Sequence, residues 1–362
     1  MDEQNPASPT DEQTAADPSR SDQPTVDQLT VDQLSEGQLL ARIFPRLRAS
    51  ASALIGPGDD AAVLTAPDGR VVISTDTLVQ DQDFRLLWNN GCSSGGFEVG
   101  WKAAAQNLSD INAMGAVATG MVVSLTLPGA TPVAWAEGLA EGLSQAISAL
   151  GASGCGVVGG DLSGGREISV TVTVLGDLAR RAPVLRSGAE PGDQLAIAGR
   201  LGWAAAGWAL LESGIPFAAL SPAEQRLIEA FHCPRPPLPA GPLAAASGAK
   251  AMLDISDGLI RDAGRLAGSS GVRIDLDARV LAGFREPLEA AASRLGASAL
   301  DWVLGGGEDY GLLSAFDGDA QLPHGFAAIG SILSKKDGTA PESAVTVSGR
   351  HSDTVGWDHF AD

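Results

Sequence analysis

The sequence predicts a protein of two domains, each of mixed helices and strands, and three observations lead to this prediction. The chain has 362 residues, 44% of them apolar, which is enough for two hydrophobic cores. Segments with strand-like alternation are interspersed with segments of helical spacing along the chain. A basic and then turn-rich stretch, RRAPVLRSGAEPGD, separates the two halves. We therefore expect an N-terminal domain over 35–180 and a C-terminal domain over 181–362.

The first 34 residues are rich in Asp, Gln, Ser, Thr and Pro and contain little apolar material. Such a composition cannot bury enough surface to offset the entropy of ordering, so we predict a disordered acidic tail over 1–34. Ordered structure is expected to begin near Ser35. This residue is a suitable N-cap, because Gln38 stands three positions later, ahead of apolar residues at helical spacing.

The stretch IGPGDDAAVLTAPDGRVVISTD predicts two strands joined by a turn, because Gly and Pro flank short β-rich runs. A hairpin of this kind would bring Asp60 close to Ser74, Thr75 and Asp76 at the end of the second strand. All of these are hard oxygen ligands, which suit Mg²⁺. Considered alone, the two aspartates at 59 and 60 are better explained as ordinary turn residues, because Gly-Asp turns are common.

The remaining elements follow from periodicity. In the N-terminal half we predict a helix over 97–115, a strand over 117–127, a helix over 132–150 and strands over 156–158 and 167–175. In the C-terminal half we predict strands over 194–198 and 251–255, with helices over 202–213 and from Ser256 onward. A short strand and an aromatic-bearing segment, GWDHF, end the chain.

Charge and cysteine content exclude several classes of protein. The net charge is −20, with 44 acidic against 24 basic residues, which argues against nucleic acid or an anionic membrane as a partner. The three cysteines show no CxxC spacing and are predicted to be free thiols of a reducing compartment. The sequence contains no apolar run long enough to span a membrane and no signal-peptide core. We therefore expect a cytoplasmic protein.

Acidic residues recur beside glycines and apolar residues, with almost no lysine nearby. Each has an ordinary explanation, such as a turn or the first turn of a helix. Together they favour a carboxylate cluster, since neighbouring carboxylates repel unless cations bridge them. Magnesium held in this way most often handles phosphates. The acids concerned are Asp60, Asp76, Asp110, Asp161, Asp254, Asp257, Glu308 and Asp309.

Other phosphate-handling and hydrolytic motifs are missing from the sequence. There is no GxxxxGK[ST] loop, no protein-kinase HRD and DFG set, no HExxH and no Ser/His/Asp order. Basic residues near the acidic motifs are scarce. Arg186 is the best candidate for contacting a phosphate, although a solvated linker arginine explains it about equally well.

Seven motifs occur in one order: GDDAAV, STDTLV, NLSDINAMGA, GGDLSGG, VLRSGAEPGD, LDISDGL and GGGEDYGL. On these motifs residues 36–362 resemble the thiamine-monophosphate kinase family, of the superfamily that includes aminoimidazole-ribonucleotide synthetase and selenophosphate synthetase. The resemblance implies a two-domain α+β ATP-binding fold that forms a homodimer through its N-terminal sheets. It further implies direct Mg²⁺-assisted transfer of the ATP γ-phosphoryl group to thiamine monophosphate.

The resemblance also implies residue roles. The carboxylates implied to act in catalysis through magnesium are Asp60, Asp76, Asp110, Asp161 and Asp254, with Ser74, Thr75 and Asp257 as further metal ligands. ATP would contact Gly160, Asp161, Arg186 and Ser256, and the substrate Asp83, Glu308 and Trp357. Asp83 departs from the family, which often has His there, and its negative charge would repel the substrate phosphate.

Three alternatives remain open at this point. Selenophosphate synthetase would need a reactive cysteine early in the chain, whereas the first cysteine here is Cys92. Aminoimidazole-ribonucleotide synthetase fits LDISDGL and GGGEDYGL less well. A non-catalytic, acidic cation-binding protein would also explain the net charge. It would bind neither nucleotide nor thiamine monophosphate, so calorimetry separates it from an enzyme.

Overall fold

The computed structural model describes residues 1, 29–57, 61–335 and 344–357. Helices and strands alternate along these ranges. The predicted residue Asp60 lies outside the described residues. The strands are β1 (Ala53–Ile55), β2 (Val63–Leu64), β3 (Val72–Val79), β4 (Val117–Leu127), β5 (Val157–Gly164), β6 (Ser169–Asp177), β7 (Gln194–Ala198), β8 (Ala251–Asp254), β9 (Val272–Leu276), β10 (Leu312–Phe316), β11 (Phe326–Ser334) and β12 (Val345–Val347). The helices are α1 (Glu36–Ile43), α2 (Gly96–Ala113), α3 (Val133–Ala149), α4 (Trp203–Glu212), α5 (Pro222–His232), α6 (Ala240–Ala246), α7 (Leu259–Ser270), α8 (Ala278–Arg285), α9 (Glu289–Leu295) and α10 (Ala299–Gly305).

The first large sheet has the strand order β3-β6-β4-β5, antiparallel except for the parallel pair β4 and β5. Its inner face packs on α2 and α3, because alternate residues of β6 (Val170, Val172 and Val174) are fully buried there. The intervening residues lie on an outer face, which Leu64 of β2 covers at Gly120 and which is exposed at Ile73 and Val122. On that face Thr75 and Thr77 of β3 pair with Thr173 and Thr171 of β6 through their hydroxyls.

The second large sheet has the order β12-β9-β11-β7-β10-β8. Its strands are apolar on both faces, as β8 and β10 show, because helices cover both. Helix α2 contacts both large sheets, including β3 of the first and β8 of the second. The carboxyl end of β8 and the inner face of β3 therefore meet on the same helix.

The predicted elements are largely present. Strands β4 and β7 have the predicted bounds, and helices α2, α3 and α4 agree to within two residues at either end. Helix α7 begins at Leu259 rather than Ser256, because Gly258 takes a positive φ of 111° that ends the preceding loop. All three cysteines are free. None of the helices within the described residues is long and apolar enough to span a membrane.

The predicted hairpin is wrong, because its two strands, β2 and β3, do not pair with each other. Strand β2 pairs with β1 in a small separate sheet, whereas β3 pairs with β6. Ser74, Thr75 and Asp76 lie within β3, not at its end, because the alternation continues through Leu78 and Val79. Successive side chains of this triplet consequently point to opposite faces of the sheet.

The predicted start of ordered structure also needs correction. Residues 31–33 form a 3₁₀ turn, and the Val31 N–H donates to the carbonyl of Thr131, 2.9 Å away. Leu29, Val31 and Leu34 pack against the N-terminal core. The last residue of the first TVDQL copy and the apolar residues of the second therefore supply enough apolar surface to dock ahead of α3. The Ser35 cap and its reciprocal bond with Gln38 form as predicted.

Candidate active site

The site forms where three elements present acidic side chains to one cavity of about 600 Å³. Strand β3 directs Ser74 and Asp76 inward, and α2 directs Asp110 at them. The Ser74 hydroxyl donates a hydrogen bond to Asp110, and the Asp76 carboxyl lies close enough to Asp110 for the two groups to interact electrostatically. The third element, β8, ends at Asp254 on the same cavity.

Burial raises the pKa of each of these carboxyl groups. Burial, and then the nearby charge of Asp110, raises the pKa of Asp76 to about 7. The pKa of Asp254 is likewise raised to about 7 by burial and by Asp110. Burial also raises the pKa of Asp110, against the opposing effects of Ser74 and the Arg186 charge. Because the three buried carboxyl groups repel one another when they are charged, a bound cation or proton among them is favoured.

The oxygens of this group suit magnesium in their chemistry. Mg²⁺ prefers carboxylates and other oxygen donors, and one or two carboxylates suffice when substrate phosphates complete its coordination. Asp76 and Asp110, with Ser74 beside them, match this donor set. Within the described ranges, no three His, Cys, Asp or Glu side chains are close enough together to hold a metal ion by themselves.

Three loops close the cavity on its C-terminal side, and backbone hydrogen bonds connect them. The Glu308 N–H donates to the carbonyl of Ser256 (2.9 Å), and the Trp357 N–H donates to that of Asp257 (2.8 Å). A Cβ at Gly307 would lie 2.2 Å from the Ser256 carbonyl oxygen, so only glycine permits this approach. Glu308 and Tyr310 adopt positive φ angles of 65° and 52°. The GGGEDYG motif is thereby held in a conformation that non-glycine residues seldom adopt.

Sequence reasoning missed Lys102, a buried residue of α2 whose ammonium contacts two residues of the cavity wall, Glu308 and Asp83. Its side chain is 2% exposed, and Nζ lies 2.7 Å from Glu308 Oε1 and 2.8 Å from the Asp83 carbonyl oxygen. The ammonium also lies 3.9 Å from the centroid of the Phe231 ring. A signal was available, because Lys102, Gln106 and Asp110 recur at i, i+4 and i+8 and so share one face of α2.

Two residues predicted to contact the substrate, and Arg186, predicted to contact ATP, line the same cavity. Trp357, 43% exposed, has its ring centroid 5.2 Å from that of Trp208, so two indoles form one wall. Asp83 also lines the cavity, and its carboxylate accepts a hydrogen bond from the Val79 N–H (2.7 Å). Arg186 also lines the cavity, on the side of Asp110. The structure therefore brings all three of these predicted residues together with the acids.

Asp257 and Ser256 reach the cavity from the loop that follows β8. The Asp257 carboxylate forms an ion pair with Arg265 (2.6 Å). Its own N–H donates to Asp262, a buried acid that sequence reasoning did not single out. The predicted role of Asp257 as a metal ligand stays a prediction.

Three of the residues predicted for the site lie outside the acidic cavity. Thr75 is on the outer face of the first sheet, where its hydroxyl donates to the Val172 carbonyl. Asp161 is exposed and pairs with Ser124 of the neighbouring strand β4. Its own strand, β5, is the third strand along from β3 in the sheet, so Asp161 lies about 14 Å from β3. A Cβ at Gly160 would lie 2.1 Å from the Val123 carbonyl oxygen, so close strand approach already requires this glycine. Gly160 and Asp161 line a second, more apolar cavity of about 740 Å³. Their roles stay predictions.

The fold and the acidic cavity define a class of protein. The family model described as AIR synthase related protein, N-terminal domain, matches residues 58–178, which contain the first large sheet with α2 and α3. The chain belongs to the thiamine-monophosphate kinase family. It is 47% identical over 329 residues to the thiamine-monophosphate kinase of Mycobacterium tuberculosis, covering 90% of this chain and 92% of the relative.

Two further comparisons agree with this assignment. The thiamine-monophosphate kinase of Corynebacterium glutamicum is 41% identical over 294 residues, covering 80% of this chain and 84% of that protein. The solved structure of AaThiL complexed with AMPPCP and TMP superposes with a TM-score of 0.69 at 28% identity, covering 92% and 99% of the two chains. The α+β fold predicted from the sequence is confirmed.

Proposed function

We propose that the protein transfers the γ-phosphoryl group of ATP to thiamine monophosphate, giving thiamine diphosphate and ADP. The observation that carries this proposal is the convergence of Asp76, Asp110 and Asp254 on one cavity with two tryptophans on its wall. An acidic, oxygen-rich cavity could support several reactions of phosphates, and membership of the family indicates which of these reactions to propose. The complex of AaThiL with AMPPCP and TMP adds support, since AMPPCP is an analogue of ATP.

The chemistry fits the groups present. The acceptor phosphate is already a nucleophile, so no strong general base is needed. One of its oxygens bonds to the γ-phosphorus as the bond between that phosphorus and the β,γ-bridging oxygen breaks, and ADP leaves. Mg²⁺, held by Asp76 and Asp110, would neutralise the charge of both reactants. Arg186 is placed to contact a phosphate, and the Trp208–Trp357 wall to contact the flat aromatic rings of the substrate.

An acceptor assay tests this function directly. Purified protein with ATP, Mg²⁺ and thiamine monophosphate should form thiamine diphosphate and ADP in equal amounts, measured by chromatography. Thiamine in place of the monophosphate, and omission of Mg²⁺, are the controls and should give no product. ADP release without thiamine diphosphate would contradict the proposal, as would calorimetric binding of Mg²⁺ without binding of ATP.

We also propose that two copies pair through the outer face of the first large sheet. That face exposes Ile73 (65%) and Val122 (38%) beside a ladder of threonines. An apolar sheet face left open in this way is suited to association with a second sheet.

Sedimentation equilibrium measures the pairing. Wild-type protein should give twice the chain mass of 36.8 kDa. Ile73→Arg places a charge on the proposed interface and should shift the mass to that of one chain. Val280→Arg, at an exposed apolar position on α8, is the control and should leave the mass unchanged. A wild-type protein with the mass of one chain would refute the pairing.

A further inference from the structure

Three arginines converge on a small cavity of about 250 Å³, away from the acidic site. Arg200 precedes α4, Arg226 lies on α5, and Arg235 lies in the proline-rich segment that follows α5. This cavity and the catalytic one share no lining residue. Such a concentration of positive charge is unexpected in a chain of net charge −20.

Within the described residues, none of the three guanidinium groups forms an ion pair. By contrast, Arg85, Arg265 and Arg294 each contact a carboxylate within 4.0 Å. The cavity also contains Asp309, whose two oxygens accept hydrogen bonds from the Trp203 and Ala204 N–H groups at the start of α4 and whose negative charge interacts with Arg200. Glu229 supplies one further negative charge. The sum of the formal charges of the residues that line the cavity is therefore positive.

Two of the arginines are held in position by aromatic rings. The Arg200 guanidinium lies 4.3 Å from the centroid of the Trp203 ring, and that of Arg235 lies 5.0 Å from that of Trp101. Contacts of this kind fix a flexible side chain before any ligand arrives, so less entropy is lost on binding. A planar guanidinium then offers paired N–H donors that match phosphate oxygens.

We propose that Arg200, Arg226 and Arg235 form a binding site for a small anion that carries a diphosphate group. Three guanidinium groups match a polyanion with many oxygens better than a single carboxylate. The cavity is smaller than the roughly 300–1,000 Å³ typical of sites for drug-sized ligands, so the diphosphate itself is the part enclosed. The diphosphate could be inorganic pyrophosphate or the end of a larger molecule such as thiamine diphosphate.

Calorimetry in metal-free buffer tests this site apart from the catalytic cavity. Without Mg²⁺ the acids of the catalytic cavity repel anions, whereas the arginines need no metal. Pyrophosphate should bind wild-type protein with one site per chain. Arg226→Ala/Arg235→Ala should weaken this binding at least tenfold, and the matched pair Arg279→Ala/Arg285→Ala, at exposed positions on α8, should change it less than twofold.

A second titration, with thiamine diphosphate, distinguishes the sources. Binding that is lost in the same double variant identifies a diphosphate on an organic molecule, and binding of pyrophosphate alone identifies the inorganic anion. The proposal is overturned if neither binds wild-type protein, or if the double variant binds as tightly while its circular dichroism is unchanged. The single variant Arg226→Gln repeats the test should the double variant misfold. Neither titration contains ATP, so a failed kinase assay would leave this result standing.

Discussion

Asp76→Asn should lower kcat by on the order of 10²–10³-fold, the loss typical when one electrostatic group is removed from a phosphoryl-transfer or similar site. The amide keeps the shape of the side chain and can donate to Asp110, but it carries no charge to hold Mg²⁺. The acceptor assay measures the loss. Asp81→Asn, on the exposed loop after β3 and outside the cavity, is the control and should retain full activity.

The same variant should be at least as stable as the wild type in metal-free buffer. The pKa of Asp76 is raised from 3.8 to about 7 in the fold, so the folded protein binds this proton more tightly than the unfolded chain. Stability from this group is present at low pH and is lost as pH rises through about 7. The asparagine does not titrate, so the difference in melting temperature should favour the variant more at pH 8 than at pH 4. A lower melting temperature for the variant at pH 8 would contradict this account.

Lys102→Met should lower the free energy of unfolding by about 3 kcal/mol, the lower end of the range for breaking a buried ion pair. Methionine preserves the length and packing of the side chain but removes the charge that contacts Glu308 and the Asp83 carbonyl. The lower end applies because the Glu308 side chain is still 23% exposed and can be hydrated. Because Glu308 lines the catalytic cavity, kcat/KM should fall as well.

Urea unfolding measures the stability, and a second variant identifies the cause. Lys102→Met/Glu308→Gln removes both charges, so it should recover part of the loss in the free energy of unfolding. Arg285→Met breaks the exposed pair with Glu289 and should cost less than about 0.5 kcal/mol. A double variant less stable than Lys102→Met would show that the ion pair is not the source of the destabilisation.

The positions of most helices and strands could be predicted from the sequence, because local periodicity determines them. The apolar stretch at 117–127 and the Ala-rich helix of 133–149 have the predicted bounds to within a residue. The glycine-rich acidic motifs indicated a phosphate-handling cavity, and Asp76, Asp110 and Asp254 do converge there. These motifs could be recognised in the sequence because small residues and isolated acids in apolar surroundings are unusual on an ordinary protein surface.

Pairing between distant segments could not be predicted, because periodicity specifies a face within one element and not the element it meets. The tertiary structure alone pairs β2 with β1, and it alone sends Thr75 and Asp161 to the outer face while Asp76 points inward. It also brings Lys102 to Glu308 across 206 positions of the chain, a contact that no local pattern indicates. The sequence by itself thus indicated candidate residues for the chemistry. Only the packing of α2 between the two sheets decided which of them act together, because side chains remote in sequence approach each other only when a shared core is buried.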